Sequence, residues 1–152
     1  MKGSLKDGKG KNFMSFKAFF DTNIFAYAFD RSNPEKKEKA RALISQWMPF
    51  GNMVISTQVL QELFVVLTRK LKPGLSTSEA EEVLKSLLPL EVKIIDPEMI
   101  FQAIQILKEH SISFWDALIV AAAVSSRCKV VFTEDLNPGQ IIADVRIENP
   151  FG

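Results

Sequence analysis

The chain has 152 residues, 47% hydrophobic and 24% charged, which suits one domain with a real core and a soluble surface. A formal net charge of +1 excludes a global basic field for nucleic acid and leaves only local patches. No apolar run reaches the length of a membrane span. The lone cysteine, Cys128, has no partner for an internal disulfide and reads as a small buried residue beside a strand, so a cytoplasmic setting is expected.

Residues 1–13 read as a disordered leader, with Lys2, Lys6, Lys9 and Lys11 among Gly3, Gly8 and Gly10. It reads as a cloning remnant or an upstream start, since Met14 could open the folded part; a nucleic-acid-binding arm is the sharper alternative. Residues 14–152 read as a single domain. A first strand over 16–20 ends at Asp21-Thr22-Asn23, and a short helix follows over 24–29. Asn33 and Pro34 supply a cap and a first-turn proline for a helix over 35–47, with Ala40, Leu43, Ile44 and Trp47 on one face. A strand over 53–55 leads through Ser56 or Thr57 into a helix over 58–70, whose Leu60, Leu63, Phe64 and Leu67 keep helical spacing.

Pro73-Gly74 stops that helix, and Ser76-Thr77-Ser78-Glu79 is a capping box for another through residue 87. A third strand over 92–95 is followed by Asp96-Pro97, which starts a helix to about 109. Ser113 opens the next helix, over 114–127. From Ala117 it is apolar on every side, which predicts burial, yet its first turn carries Asp116. A fourth strand over 129–133 runs into the turn residues 134–139, and 145–147 is expected as a fifth, edge strand. Short apolar strands alternating with helices predict an α/β fold: a mostly parallel sheet of four to five strands with helices on both faces. Such sheets bind ligands beyond the carboxyl ends of their strands.

Four acids stand at the mouths of these elements: Asp21 after the first strand, Glu62 in the helix after the second, Asp116 opening the buried helix and Asp135 after the fourth strand. Each has an ordinary reading. Asp21 could cap a helix, Glu62 could be a solvated helix residue, Asp116 could complement a helix dipole, and Asp135 could be a turn acid. Glu134 could be the inward member of its pair. Together they point to a site for a hard divalent cation, because clustered carboxylates raise one another's pKa unless a cation offsets them. No Cys/His set suits zinc, and His110, the only histidine, reads as a surface or helix-end residue. Hydrolysis of a phosphodiester with metal-activated water is the chemistry such a cluster suits.

Phe20-Asp21-Thr22-Asn23, Val59-Leu60-Gln61-Glu62-Leu63, Trp115-Asp116-Ala117-Leu118-Ile119 and Thr133-Glu134-Asp135-Leu136 resemble the four signature blocks of the PIN-domain family. Within it they look most like the VapC-like toxins of toxin–antitoxin pairs. The resemblance runs from about residue 16 to residue 151. It implies a Rossmann-like α/β/α sandwich and endoribonuclease activity dependent on Mg²⁺ or Mn²⁺. Asp21, Glu62, Asp116 and Asp135 match the family's acidic quartet. Asp21 and Asp116 would be the firmest metal ligands, with Asp135 joining them; Glu62 and Asp135 complete the shell or orient the attacking water. Asn23 and Thr133 match its supporting hydrogen-bond positions.

The resemblance further implies an RNA substrate, a homodimer and a cognate antitoxin that blocks the acidic cleft. Arg31, Lys36, Lys37, Arg69, Lys70 and Lys72 are the candidate RNA contacts; their ordinary reading is a solvated basic helix face. Two alternatives stay open. One is a catalytically silent PIN-like domain that binds RNA or protein. The other is a phosphotransfer domain with Asp21 as nucleophile, although Asn23 stands where that chemistry commonly has a second aspartate.

Overall fold

The computed structural model describes residues 15–152, so the leader and Met14 lie outside the described residues. The strands are β1 (Lys17–Phe20), β2 (Met53–Ser56), β3 (Glu91–Lys93), β4 (Cys128–Phe132), β5 (Ile141–Ile142) and β6 (Val145–Glu148). They form one six-stranded sheet in the order β3-β2-β1-β4-β6-β5. All pairs are parallel except β5 with β6. Ala18, Phe19 and Phe20 of β1 and all of β2 are buried, as expected of strands covered on both faces. The chain passes from β1 to β2 on one side and later returns to β4 on the other. The gap between β1 and β4 is therefore a topological switch point, where such sheets open a crevice at their carboxyl ends.

The helices are α1 (Thr22–Tyr27), α2 (Pro34–Trp47), α3 (Thr57–Val65), α4 (Thr77–Ser86), α5 (Pro97–Glu109) and α6 (Phe114–Ser125). They complete a Rossmann-like α/β/α sandwich: α1 to α4 pack among themselves, and α5 packs on α6. The caps expected from sequence are present. Asn33, Ser56, Ser76, Asp96 and Ser113 each accept a first-turn backbone N–H, and Ser76 with Glu79 makes the reciprocal capping box. Residues Ala117 to Ala123 of α6 are all buried, so this helix is central to the core. An aromatic cluster fills the region between β1, β4 and α2, with Phe20 5.8 Å from Trp47 and 5.1 Å from Phe132, centroid to centroid. His110 caps α5, and burial pushes the Cys128 thiol up to about 12, which makes it an inert core residue. Among the described residues no helix is long and apolar enough to cross a membrane.

Two details differ from the sequence reading. The helix expected over 58–70 is α-helical only to Val65; Val66–Lys70 is a π-helical turn, with Leu71 N–H donating to the Val66 carbonyl. Thr68 Oγ1 donates back to the Phe64 carbonyl at 2.8 Å, a contact of the kind that loosens the normal ladder. The sheet also has a sixth strand. β5 and β6 form a hairpin through Ala143 and Asp144, both at positive φ (50° and 68°), the conformation of a two-residue turn with type I′ handedness.

Candidate active site

Asp21 follows β1 directly and caps α1. Its Oδ1 accepts from the Thr22 N–H at 2.7 Å, and its Oδ2 accepts from Thr133 Oγ1 at 2.7 Å. Thr133 in turn follows β4, and its hydroxyl oxygen accepts from the Asp135 N–H at 3.0 Å. That donor fixes the hydroxyl's direction, so Thr133 gives its proton to Asp21. One threonine thus ties the ends of the two strands flanking the switch point. Asp21 is 4% exposed. Burial, then the charges of Asp135 and Glu62, push its carboxyl up to about 7 against the lowering effect of its hydrogen bonds.

Glu62 projects from α3. Its Oε1 accepts from Thr22 Oγ1 at 2.9 Å and its Oε2 from Gln58 Nε2 at 3.1 Å. Asp135 stands on the turn after β4, where Asn23 Nδ2 donates to its Oδ2 at 3.1 Å. Lost hydration, with the charges of Asp116, Glu134 and Glu62, raises its pKa above the usual aspartate range. Asp116 lies in the first turn of α6, where its N–H donates to Ser113 Oγ at 3.0 Å. Its carboxyl is raised too, first by partial burial and then by Glu62.

Asp21, Glu62 and Asp135 line one cleft of about 560 Å³, together with Thr22 and Asn23. Asp116 opens instead onto a neighbouring hollow of about 260 Å³, which it shares with Asp135. The four acids are therefore grouped around Asp135 rather than gathered in a single bowl. Among the described residues none of the four is in an ion pair. Among the described residues no group of three or more acidic, histidine or cysteine side chains is placed to hold a metal ion as it stands. The donor chemistry nevertheless fits a hard divalent cation. Every donor is an oxygen, the negative charge is unpaired, and the Asn23 Oδ1 is a buried acceptor without a hydrogen-bond partner.

Glu134 is spoken for by other groups. Tyr27 Oη donates to its Oε1, and Lys36 Nζ pairs with its Oε2 at 2.5 Å while lying 4.7 Å from the Tyr27 ring centroid. Glu134 is thus neutralised at the cleft wall, and Asp135 is the member of the pair that faces Asn23. Lys36, expected as an RNA contact, is paired with Glu134 and Tyr27 while staying partly exposed. Lys70 lines the cleft, with Arg69 and Lys72 exposed beside it. Lys37 lines a separate hollow on α2 with Glu38 and Arg41, and Arg31 is exposed, its charge felt by Glu79.

Sequence reasoning missed Thr22, Gln58 and Tyr27. Signals existed for two of them: Thr22 adjoins Asp21, and Gln58 stands four residues before Glu62 on the same helix face. Tyr27 reaches Glu134 across 107 positions, and no local pattern reports such a contact.

The PIN domain family model matches residues 18–141. No curated protein matches the chain significantly in sequence. Among solved structures, a toxin–antitoxin complex from Klebsiella pneumoniae superposes with a TM-score of 0.66 at 20% identity, over 88% of this chain and 98% of that one. DNA-bound VapBC from Salmonella typhimurium gives 0.61 at 23% identity, over 89% and 98%. VapC20 of Mycobacterium tuberculosis, described as a sarcin-ricin loop cleaving toxin, gives 0.62 at 19% identity, over 86% and 99%. At these identities the likeness is one of fold, while the family model spans most of the chain and includes all four acids. The chain belongs to the PIN domain family.

Proposed function

We propose that this PIN domain is a divalent-metal-dependent endoribonuclease, the toxin of a toxin–antitoxin pair acting in the cytoplasm. The observation that carries the reading is a set of four acids around the switch-point crevice: Asp21, Glu62 and Asp135 each accept from a neutral hydrogen-bond donor, and none of the four is ion-paired among the described residues. A binding domain for RNA gains nothing from unpaired carboxylates facing phosphates. A hydrolase gains a seat for a cation.

Asp21, Asp116 and Asp135 would hold Mg²⁺ or Mn²⁺, which supplies charge neutralisation on the phosphoryl oxygen and a lowered water pKa. Thr133 holds Asp21 in place and Asn23 holds Asp135, so both carboxylates keep their orientation before the substrate arrives. Glu62, held on both oxygens, is rigid enough to orient the attacking water. Lys70, on the cleft wall, is the cation best placed to meet an RNA phosphate. The solved neighbours are toxin–antitoxin complexes or a toxin by description, which supports an antitoxin as partner. Homodimerisation is part of the same proposal.

The test is cleavage of several RNA pools by the purified chain with and without Mn²⁺. The reading predicts metal-dependent cleavage that is lost in Asp116→Asn. Binding of RNA without cleavage in every pool would instead favour a catalytically silent PIN domain.

A further inference from the structure

Gln58 is 4% exposed, on a helix that otherwise buries apolar side chains, and it belongs to none of the four acidic blocks. Its Nε2 makes two hydrogen bonds of equal length. One goes to Glu62 Oε2 at 3.1 Å, one turn further along α3; the other goes to the Trp115 carbonyl at 3.1 Å, the residue before Asp116. Both neighbours are pure acceptors. The reversed amide would set its oxygen against a carboxylate and a carbonyl, so the orientation is settled by the chemistry around it. Its Oε1 is left buried without a partner. Stranding a buried acceptor is unfavourable, and the site carries a glutamine all the same.

The two bonds join elements that otherwise meet weakly at this edge. Glu62 is already tied to α1 through Thr22. Gln58 adds the tie to the first turn of α6, the segment that carries Asp116 into its own hollow beside Asp135. Asp116 is the acid that does not share the main cleft, so its distance from the others depends on where α6 begins.

We infer that Gln58 is a positioning residue: it clamps the start of α6 to Glu62 and so sets the reach of Asp116 toward the divalent cation. The inference rests on the metal-site reading above, and it assigns to a neutral side chain the spacing between two acids. Loss of such an orienting partner weakens metal affinity by about 10- to 100-fold.

The test is calorimetric titration of the metal-free full chain with MnCl₂ in the absence of RNA, comparing wild type, Gln58→Met and Gln58→Leu. Melting of each metal-free variant serves as the folding control. The clamp predicts that Gln58→Met binds Mn²⁺ at least about tenfold more weakly. In an Asp116→Asn background the same change should weaken Mn²⁺ by less than about threefold, because the acid it positions is gone. Gln58→Leu, which keeps most of the volume and has neither donor nor acceptor, should weaken Mn²⁺ at least as much and decides the matter where Gln58→Met does not fold. Affinity within twofold of wild type in a folded variant overturns the inference and leaves the metal-site reading intact, as does full additivity with Asp116→Asn. No Mn²⁺ binding by wild type overturns both.

Discussion

Asp21 and Asp116 both stand at the start of a helix, and the protein surrounds them differently. Asp21 is sealed between β1 and β4, accepts two hydrogen bonds at 2.7 Å and keeps a raised carboxyl pKa of about 7. Asp116 is half-buried at the mouth of α6, and its element is tied to the cleft through Gln58. The buried acid is fixed before any ligand arrives, and its unfavourable charge is held in place by the fold. The outer acid is less buried, and the Gln58 bond holds the start of its helix. On the proposed metal-site reading one carboxylate would define position and the other would complete the shell, with the cost of the negative cleft falling mainly on the buried one.

Replacing each acid separates the two roles most sharply. Asp21→Asn and Asp116→Asn should each lower Mn²⁺-dependent RNA cleavage by at least about a hundredfold, since even supporting groups around a metal are worth 10- to 100-fold. Asp21→Asn should alter how metal-free stability depends on pH more than Asp116→Asn does. Either variant cutting at the wild-type rate breaks the comparison.

The next effect is that pH dependence itself. The native state keeps a proton on Asp21 up to about pH 7, whereas the unfolded chain releases it near pH 4. The native state therefore binds more protons across this window, and metal-free stability falls as pH rises through it. The contribution is bounded at roughly 4 kcal/mol, at about 1.4 kcal/mol per pH unit. Asp116 and Asp135, shifted in the same direction, add to the slope. Melting without metal at pH 5 and pH 8 should show the loss of stability, and Mn²⁺ should shrink it. A metal-free protein more stable at pH 8 contradicts the assignment.

Thr133→Val removes the donor on Asp21 with almost no change of shape. Because both partners are buried, it should destabilise the fold by about 1–3 kcal/mol in denaturant melts. Asn23→Ala, the matching change on the exposed side, should weaken Mn²⁺ binding by about tenfold with less than about 1 kcal/mol of stability lost. The smallest contrast concerns the lysines. Lys70→Ala should weaken RNA binding several-fold in a salt-dependent way, while Lys36→Ala should act mainly through the loosened Glu134. Equal effects of the two on RNA affinity would place Lys36 at the RNA after all.

The elements were legible where local chemistry is strong. Asn33-Pro34, the Ser76 capping box and Asp96-Pro97 each mark a helix start by satisfying orphan N–H groups, and the structure starts its helices there. The β5–β6 hairpin was not legible, because Ala143-Asp144 takes up positive φ without the Asn-Gly signature that would announce it. The π-helical turn at Val66–Lys70 goes with a hydroxyl-to-carbonyl contact from Thr68, which the apolar spacing in the sequence does not report. In the site, the acids themselves were visible because each sits at the mouth of an element. Their bracing was not: Thr133 with Asp21, Asn23 with Asp135 and Thr22 with Glu62 are separated by 112, 112 and 40 positions, and only the folded sheet brings them together. The neutralisation of Glu134 by Lys36 and Tyr27, which separates it from Asp135, is likewise a tertiary event.

A crystal structure of the chain soaked in MnCl₂, phased to show anomalous scattering at the manganese edge, tests the central claim most directly. The account predicts an anomalous peak bounded by Asp21, Asp116 and Asp135, with the Asp116 carboxylate moved toward Asp21 and the Asp21–Thr133 pair unmoved. An anomalous map with no peak among these side chains, in crystals that show manganese elsewhere, contradicts it.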